Sequence, residues 1–328
     1  MIDLHLHLDG SLSPQLAREL AEMDQVPLPE NLESALKAPE DCQSLNDYLG
    51  CFELPVALLQ TAPALTHATR SLCRSLDQQG LLYAEIRFAP QLHTRLGLSQ
   101  YRAAEAVCLG LAQARKECPR FRAQAILCCM RGAEPEANRT TVQLARDLLG
   151  KGVCGADLAG AEALFPTQDY QSLFQMAGEL GLPFTIHAGE AAGPESIRAA
   201  LAFGAKRIGH GVRAMEDPAL VLELAARQIP LELCYTSNLQ TKAVADPSAF
   251  PLREFLWRGL AVTINTDNMT VSGTSLRREY QKLLITPEEQ AVLMENGVKA
   301  AFLNSKGKRA LLLAMHQAEN RRRWVSLP

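Results

Sequence analysis

The chain has 328 residues, 47% hydrophobic and 21% charged, with a formal net charge of −3. That is enough for a large core in one α/β domain spanning 1–328, and the near-neutral balance excludes the clustered Lys and Arg of a nucleic-acid surface. No apolar run approaches membrane-spanning length, and nine scattered cysteines without a C-x-x-C pair read as reduced thiols of a cytoplasmic protein, not as a zinc ribbon or disulfide scaffold.

In chain order, Ile2 to Leu8 alternates apolar and polar residues, the period of a strand with two unlike faces. His5 and His7 therefore point the same way, placed to take two positions of a divalent metal; the plain alternative is a polar, half-buried sheet face. Strand-like sequence from residue 2 leaves no room for a signal peptide. Ser13-Pro14 opens a helix running to about Met23. Glu30 to Gln79 reads as helical, broken by Pro39, Pro55 and Pro63, and an insertion of this length suits a lid or binding loop. Within it Leu45, Tyr48, Leu49 and Phe52 fall at i, i+3, i+4, i+7, an apolar helix stripe whose plain reading is core packing.

Strand-length runs at Leu82–Ala89, Ala123–Met130, Val153–Leu158, Pro183–His187, Arg207–His210, Leu231–Cys234 and Val262–Asn265 follow, with a helical segment between neighbours. Counted with Ile2–His7, strict β and α alternation predicts a closed (β/α)8 TIM-type barrel, with a doubly wound open sheet as the alternative. Past Ser275 the chain reads helical, with a helix opening at Thr286-Pro287 and another over Asn304–His316. These helices are expected to pack outside the barrel. The Arg321-Arg322-Arg323 run reads as a solvated C-terminal end.

The unusual polar clusters all fall at strand C-terminal ends, the face on which such barrels build active sites. They are His5, His7 and Asp9, then Asp157 to Gly160, His187 to Glu190, Gly209 to Gly211, and Asn265 to Asn268. Burying these groups without a metal would strand unpaired polar atoms at heavy cost. His5, His7, His187 and Asp267 are the expected ligands of one metal ion, with a further position left for water. A metal-bound water becomes hydroxide near neutral pH, His210 can accept or steer its proton, and Glu190 can hand a proton to the substrate. Glu190 also reads as a helix N-terminal carboxylate, and His210 as a fifth ligand or as support for one. No Lys lies near Asp157 to bridge two metals, which favours a single ion. Gly209-His210-Gly211-Val212-Arg213-Ala214, with Glu232 further along, matches a dinucleotide fingerprint only superficially, because Pro218 opens the next helix too late.

With these residues in place, the chain resembles the adenosine deaminase family of metal-dependent hydrolases. The matching pieces are HLHLDGSL at 5–12, YAEIRFAP at 83–90, DLAG at 157–160, FTIHAGE at 184–190, RIGHGVR at 207–213, LELCYTSN at 231–238 and VTINTD at 262–267. The resemblance implies hydrolysis of the 6-amino group of adenosine and 2′-deoxyadenosine, giving inosine or 2′-deoxyinosine and ammonia, with one zinc ion per chain. It implies zinc ligation by His5, His7, His187 and Asp267, protonation of purine N1 by Glu190, and orientation of the attacking hydroxide by His210. Asp9 should reach the ribose 5′ side and the Gly160 N–H purine N3, with His7 also against substrate and Asp157 and Ser237 supporting from behind. The family's lid aligns on SLNDYLGCF, which turns Leu45, Tyr48, Leu49 and Phe52 into an expected hydrophobic gate.

Two positions depart from the family pattern. Asn268 stands where an Asp usually meets purine N7, and its carboxamide can donate directly to that acceptor. Tyr235 replaces the usual Pro after Cys234. Alternatives within the class are adenine or an N6-substituted adenine nucleotide as substrate. A non-catalytic purine-binding relative is the alternative outside it, although Glu190, His210 and every expected ligand are present.

Overall fold

The computed structural model describes residues 1–325, with side chains through residue 317. Strand β1 (Ile2–His7) leads into α1 (Pro14–Asp24), and the segment before the second strand holds α2 (Leu32–Ala35), α3 (Leu45–Leu49), α4 (Glu53–Ala57) and α5 (Ala62–Gln78). Strands and helices then alternate: β2 (Tyr83–Phe88), α6 (Gln100–Glu117), β3 (Arg122–Met130), α7 (Pro135–Asp147), β4 (Val153–Ala159) and α8 (Gln171–Glu179). The second half repeats this with β5 (Thr185–Ala188), α9 (Pro194–Phe203), β6 (Arg207–His210), α10 (Pro218–Arg227), β7 (Leu231–Leu233), α11 (Tyr235–Gln240), α12 (Leu252–Trp257) and β8 (Val262–Ile264). Helices α13 (Leu276–Lys282), α14 (Pro287–Ala300) and α15 (Ser305–Val325) complete the order.

Local chemistry sets the helix starts. Ser13, Thr61 and Ser99 each accept a backbone N–H three residues on, opening α1, α5 and α6. Thr286 and Glu289 form a reciprocal capping box at α14. Proline sits in the first turn of α1, α5, α7, α9, α10 and α14, where its missing N–H forfeits no helical bond.

All strand pairings are parallel, in two four-stranded sheets, β1-β2-β3-β4 and β5-β6-β7-β8. Short seams join the sheets at both edges. Ala156 pairs with Phe184 between β4 and β5, and Leu6 pairs with Asp267 between β1 and the end of β8. Asp267 donates its N–H to the His5 carbonyl and accepts from His7 N–H, both at 2.7 Å. The sheet therefore closes into the expected barrel, and the seam that closes it carries three of the expected ligands.

The alternation of β1 is used as expected. Ile2 and Leu4 face outward onto Met294 and Val298 of α14 and Leu311 and Met315 of α15, while Asp3 and His5 are buried on the inner face. Burying these apolar side chains contributes about 1.5–3 kcal/mol each and ties the last helices to the first strand. Helix α15 extends beyond the expected Asn304–His316, and the side chains of Arg321, Arg322 and Arg323 lie outside the described residues. Among the described residues no single helix is long and apolar enough to cross a membrane. One pair bent by 115°, residues 45–57 with 62–78, has the composition, but it buries Val56, Leu65, Leu72 and Leu76 in the core.

The insertion differs in detail from a single stripe. The α-helical path ends at Leu49, and Gly50–Phe52 tightens to a 3-10 turn. Tyr48 turns inward, with Leu45 and Phe52 against Cys42 and Val271, while Leu49 stands outside that group. The Tyr48 hydroxyl lies 2.6 Å from Ser272 Oγ, just past β8.

Candidate metal centre and active site

Two peptide units at the metal face are bent into the left-handed region, at Asp267 (φ 58°) and His210 (φ 60°). Such backbone costs about 1–3 kcal/mol for a residue with a side chain and persists only where neighbours hold it. Asp267 is held by the double bond pair to β1; His210 is fixed by the pairing of Ala188 with it and by the Gly211 N–H to Ala188 carbonyl bond at 3.0 Å.

His5, His7, His187 and Asp267 each present one ligand atom, all within 4.8 Å of one another. His7 Nε2 and His187 Nε2 are 3.3 Å apart, and Asp267 Oδ1 lies 3.5 Å from His5 Nε2 and 3.4 Å from His7 Nε2. The other ring nitrogens of two of these histidines are occupied. His5 Nδ1 bonds Glu232 Oε2 at 2.8 Å, and His187 Nδ1 lies 3.0 Å from Asp157 Oδ2. Each carboxylate fixes its imidazole with the proton on Nδ1, leaving Nε2 a free lone pair toward the centre. His5 Nε2 is buried with no hydrogen-bond partner. Three converging nitrogen lone pairs and one carboxylate fit a divalent cation, and little else would relieve them.

Behind this ring, one buried network runs through the barrel interior. Arg87 bonds Asp157 Oδ2 at 2.7 Å and Glu232 Oε2 at 2.8 Å, and Arg207 meets Glu232 Oε1 and Glu85 Oε2, each at 2.6 Å. Burial pushes both Asp157 and Glu232 upward. For Asp157 the charges of His187 and Arg87 outweigh that effect, and for Glu232 those of Arg87 and Arg207 do; both carboxyls are held well below their ordinary range. Sequence reasoning took Glu232 only as part of a false dinucleotide match and missed Arg87 altogether. The available signal was Glu85 and Arg87 at i, i+2 in an otherwise apolar strand, an interior polar face that must find partners. The false match itself fails structurally, since a 3-10 turn over Val212–Glu216 follows Gly211 instead of an α-helix.

Glu190 and His210 meet beside the ligand ring, with His210 Nε2 3.4 Å from Glu190 Oε2. Burial chiefly, then the charges of Asp267 and Glu162, push the Glu190 carboxyl well above its usual range, against opposing hydrogen bonds from Thr241 and Asn238. Thr241 Oγ1 donates to Glu190 Oε1 at 3.0 Å. Burial and the nearby His5 hold His210 well below the ordinary imidazole value, so the ring is neutral at pH 7. Asn238 Oδ1 accepts from Cys234 N–H, which leaves its Nδ2 to donate to His210 Nδ1 at 3.0 Å. A neutral His210 then carries its proton on Nε2, an arrangement that steers a nucleophile more readily than it deprotonates one. Asn238 and Thr241 lie on and just after α11, a short helix absent from the sequence reading. Tyr235 begins it at the position where proline is favoured, and its ring packs edge-on against Phe250 at 5.0 Å.

The other expected site residues fall around the same face. Asp9 is buried in a 3-10 turn after β1, accepts from Gly10 N–H at 3.0 Å, and is pushed up to about 6, chiefly by burial. Gly160 takes φ 105° at the end of β4, a conformation closed to most side chains. Asn268 packs against Gly10 so tightly that a Cβ there would lie 1.9 Å from Asn268 Oδ1. Ser237 is buried on α11, and its hydroxyl and the Asn268 amide both face Tyr48. A cavity of about 1460 Å³ opens at the opposite end of the barrel, lined by Tyr83, Gln124, Lys206 and Lys308 among others, and contains none of the ligand set.

Known proteins resemble this chain over nearly its whole length. The family described as Adenosine deaminase matches residues 1–318. An adenosine deaminase of Haemophilus ducreyi is 51% identical over 97% of this chain and 96% of its own length. Among solved structures, an adenine deaminase from Arthrobacter aurescens superimposes with TM-score 0.87 at 29% identity, covering 97% of this chain and 98% of that one. The arabidopsis N6-mAMP deaminase superimposes with TM-score 0.84 at 26% identity, covering 96% and 97%. The chain belongs to the adenosine deaminase family.

Proposed function

We propose that this protein, acting as one barrel domain over 1–328, hydrolyses adenosine and 2′-deoxyadenosine at purine C6, giving inosine or 2′-deoxyinosine and ammonia. The observation that carries the reading is the convergence of His5, His7, His187 and Asp267 within 4.8 Å, beside a buried Glu190 with a raised pKa. Zinc suits three imidazoles and one carboxylate, and when bound it supplies an acidified water at neutral pH. Glu190, protonated, donates to purine N1, drawing electrons from C6 so that it accepts a nucleophile. His210, with Nδ1 occupied by Asn238, presents Nε2–H to orient that nucleophile. Asp9 binds the 5′ hydroxyl side, Gly160 N–H meets N3, and Asn268 donates to N7. Leu45, Tyr48 and Phe52 form the gate over the purine, fastened through Tyr48 to Ser272, with Leu49 next to them in α3 but outside their packed group.

The test is a substrate panel of adenosine, 2′-deoxyadenosine, adenine, AMP and N6-methyl-AMP, followed by loss of the adenine absorbance band, with and without chelator. Turnover of the two nucleosides, abolished by chelation and restored best by zinc, is expected. Turnover of adenine or a nucleotide alone supports the second reading, which draws on likeness to the adenine and N6-mAMP deaminases. A metal-loaded sample inert toward all five sinks both.

Asn268→Asp is expected to change kcat/KM for adenosine by no more than about tenfold at neutral pH, the worth of one hydrogen bond. A gain of several orders of magnitude would show that the native Asn cannot serve N7.

A further inference from the structure

The loop that carries Glu190 is wrapped around a carboxylate that no part of the proposed chemistry uses. Glu162, on the turn after β4, is 2% exposed. Its Oε1 accepts from Gly189 N–H at 2.7 Å and from Ser196 Oγ. Its Oε2 accepts three further backbone N–H groups: Glu190 at 3.0 Å, Ala191 at 2.7 Å and Ala192 at 3.0 Å. Four consecutive amides thus point at one anion just ahead of α9, and among the described residues Glu162 forms no ion pair. Backbone dipoles and the Ser196 hydroxyl make the direct contacts to its charge, with the Arg131 and Arg213 guanidiniums adding attraction from further off.

The carboxylate is itself held from behind. Ser196 Oγ lies 2.7 Å from Thr167 Oγ1, which accepts from Arg131 Nη2 at 2.8 Å. The same Nη2 bonds the carbonyl of His187 at 2.7 Å. One chain of contacts therefore fixes His187 at the end of β5 and the backbone of Glu190 three residues on.

We propose that Glu162 is a positioning residue for Glu190, its carboxylate templating the Gly189–Ala192 turn so that the Glu190 side chain reaches Thr241, Asn238 and the substrate. The inference rests on Glu190 being the proton donor. Glutamine at 162 must turn an N–H₂ toward amides that already donate, which dislodges either the Gly189 side or the 190–192 side of the turn. A displacement near 1 Å at a reacting group costs about 10²-fold in rate. A residue acting only through Glu190 has nothing left to lose once Glu190 is gone.

The experiment is a double-variant cycle of Glu162→Gln and Glu190→Gln in the metal-loaded enzyme, reading kcat, KM and bound metal. Expected for E162Q is a kcat fall of about 10–100-fold with KM within about threefold and metal content unchanged. The E162Q/E190Q pair should be no slower than E190Q alone. An E162Q enzyme with parental kcat overturns the proposal, as do losses that multiply in the pair or a loss confined to KM. If E190Q itself keeps full activity, the donor reading falls and this inference with it; an impaired E190Q beside an intact E162Q removes this inference alone. Should E162Q not fold, Ser196→Ala takes its place. It removes one bond to the same carboxylate without a charge change, and must slow the parent several-fold while leaving E190Q unaffected. No slowing, or equal slowing in both backgrounds, overturns the proposal.

Discussion

Glu190→Gln is expected to lower kcat for adenosine by about 10²–10⁴-fold, the usual worth of a positioned general acid. Gln fills the same space and can keep the contacts to Thr241 and Asn238, so the fold should survive and the loss reports the missing proton. The pH dependence follows from the environment. Burial, with Asp267 and Glu162 adding negative charge, keeps the Glu190 proton above the ordinary carboxylate range. The donor is active while protonated, so kcat/KM declines as pH rises through its pKa. Thr241 donates to Glu190 Oε1 and thereby favours the ionised form. Thr241→Val removes that preference, and the alkaline limb should move to higher pH. A pH–rate profile for the parent, T241V and E190Q checks all three points. A limb that shifts downward in T241V, or persists unchanged in E190Q, assigns the titration to another group.

Much of this site was legible because its signals are local. His5 and His7 share a face by strand period alone, and the Ser-Pro and Thr-Pro starts marked helices to within a residue or two. Eight strand-length runs with helices between them imposed a parallel sheet, and the polar clusters lay at strand ends. The interior network escaped because its bonds are long-range: Arg87 meets Glu232 across 145 positions, and periodicity cannot say which strand an inward charge will face. Glu162 escaped for a different reason. Its partners are backbone amides, which leave no trace in residue identity. The short helix α11 was missed because Tyr235 occupies the first-turn position where a proline would have announced it. The 45–52 stripe has α-helical spacing only as far as Leu49; the 3-10 turn over Gly50–Phe52 re-aims Phe52, and Leu49 stays outside the group that Leu45, Tyr48 and Phe52 join.

The second large effect is expected at Glu232, which touches no substrate. All four of its contacts are donors: Thr185 Oγ1 and Arg207 Nε on Oε1, Arg87 Nη2 and His5 Nδ1 on Oε2. Glu232→Gln would face two of these with an N–H₂, breaking charge-assisted bonds at a fully buried position. Breaking a buried pair of this kind costs about 3–5 kcal/mol of stability. Losing the acceptor behind a ligating histidine weakens metal binding about 10–100-fold. Because Arg87 and Arg207 hold the carboxyl far below its unfolded value, its stabilisation is complete above the ordinary carboxylate pKa. It is lost only as pH falls through the lower, folded-state value. Denaturant unfolding of apo and metal-loaded E232Q, with a chelator-competition titration, separates the two effects. A variant as stable as the parent would mean that Arg87 and Arg207 are satisfied by Asp157 and Glu85 alone. One that loses stability but binds metal normally would mean that His5 needs no carboxylate to hold its orientation.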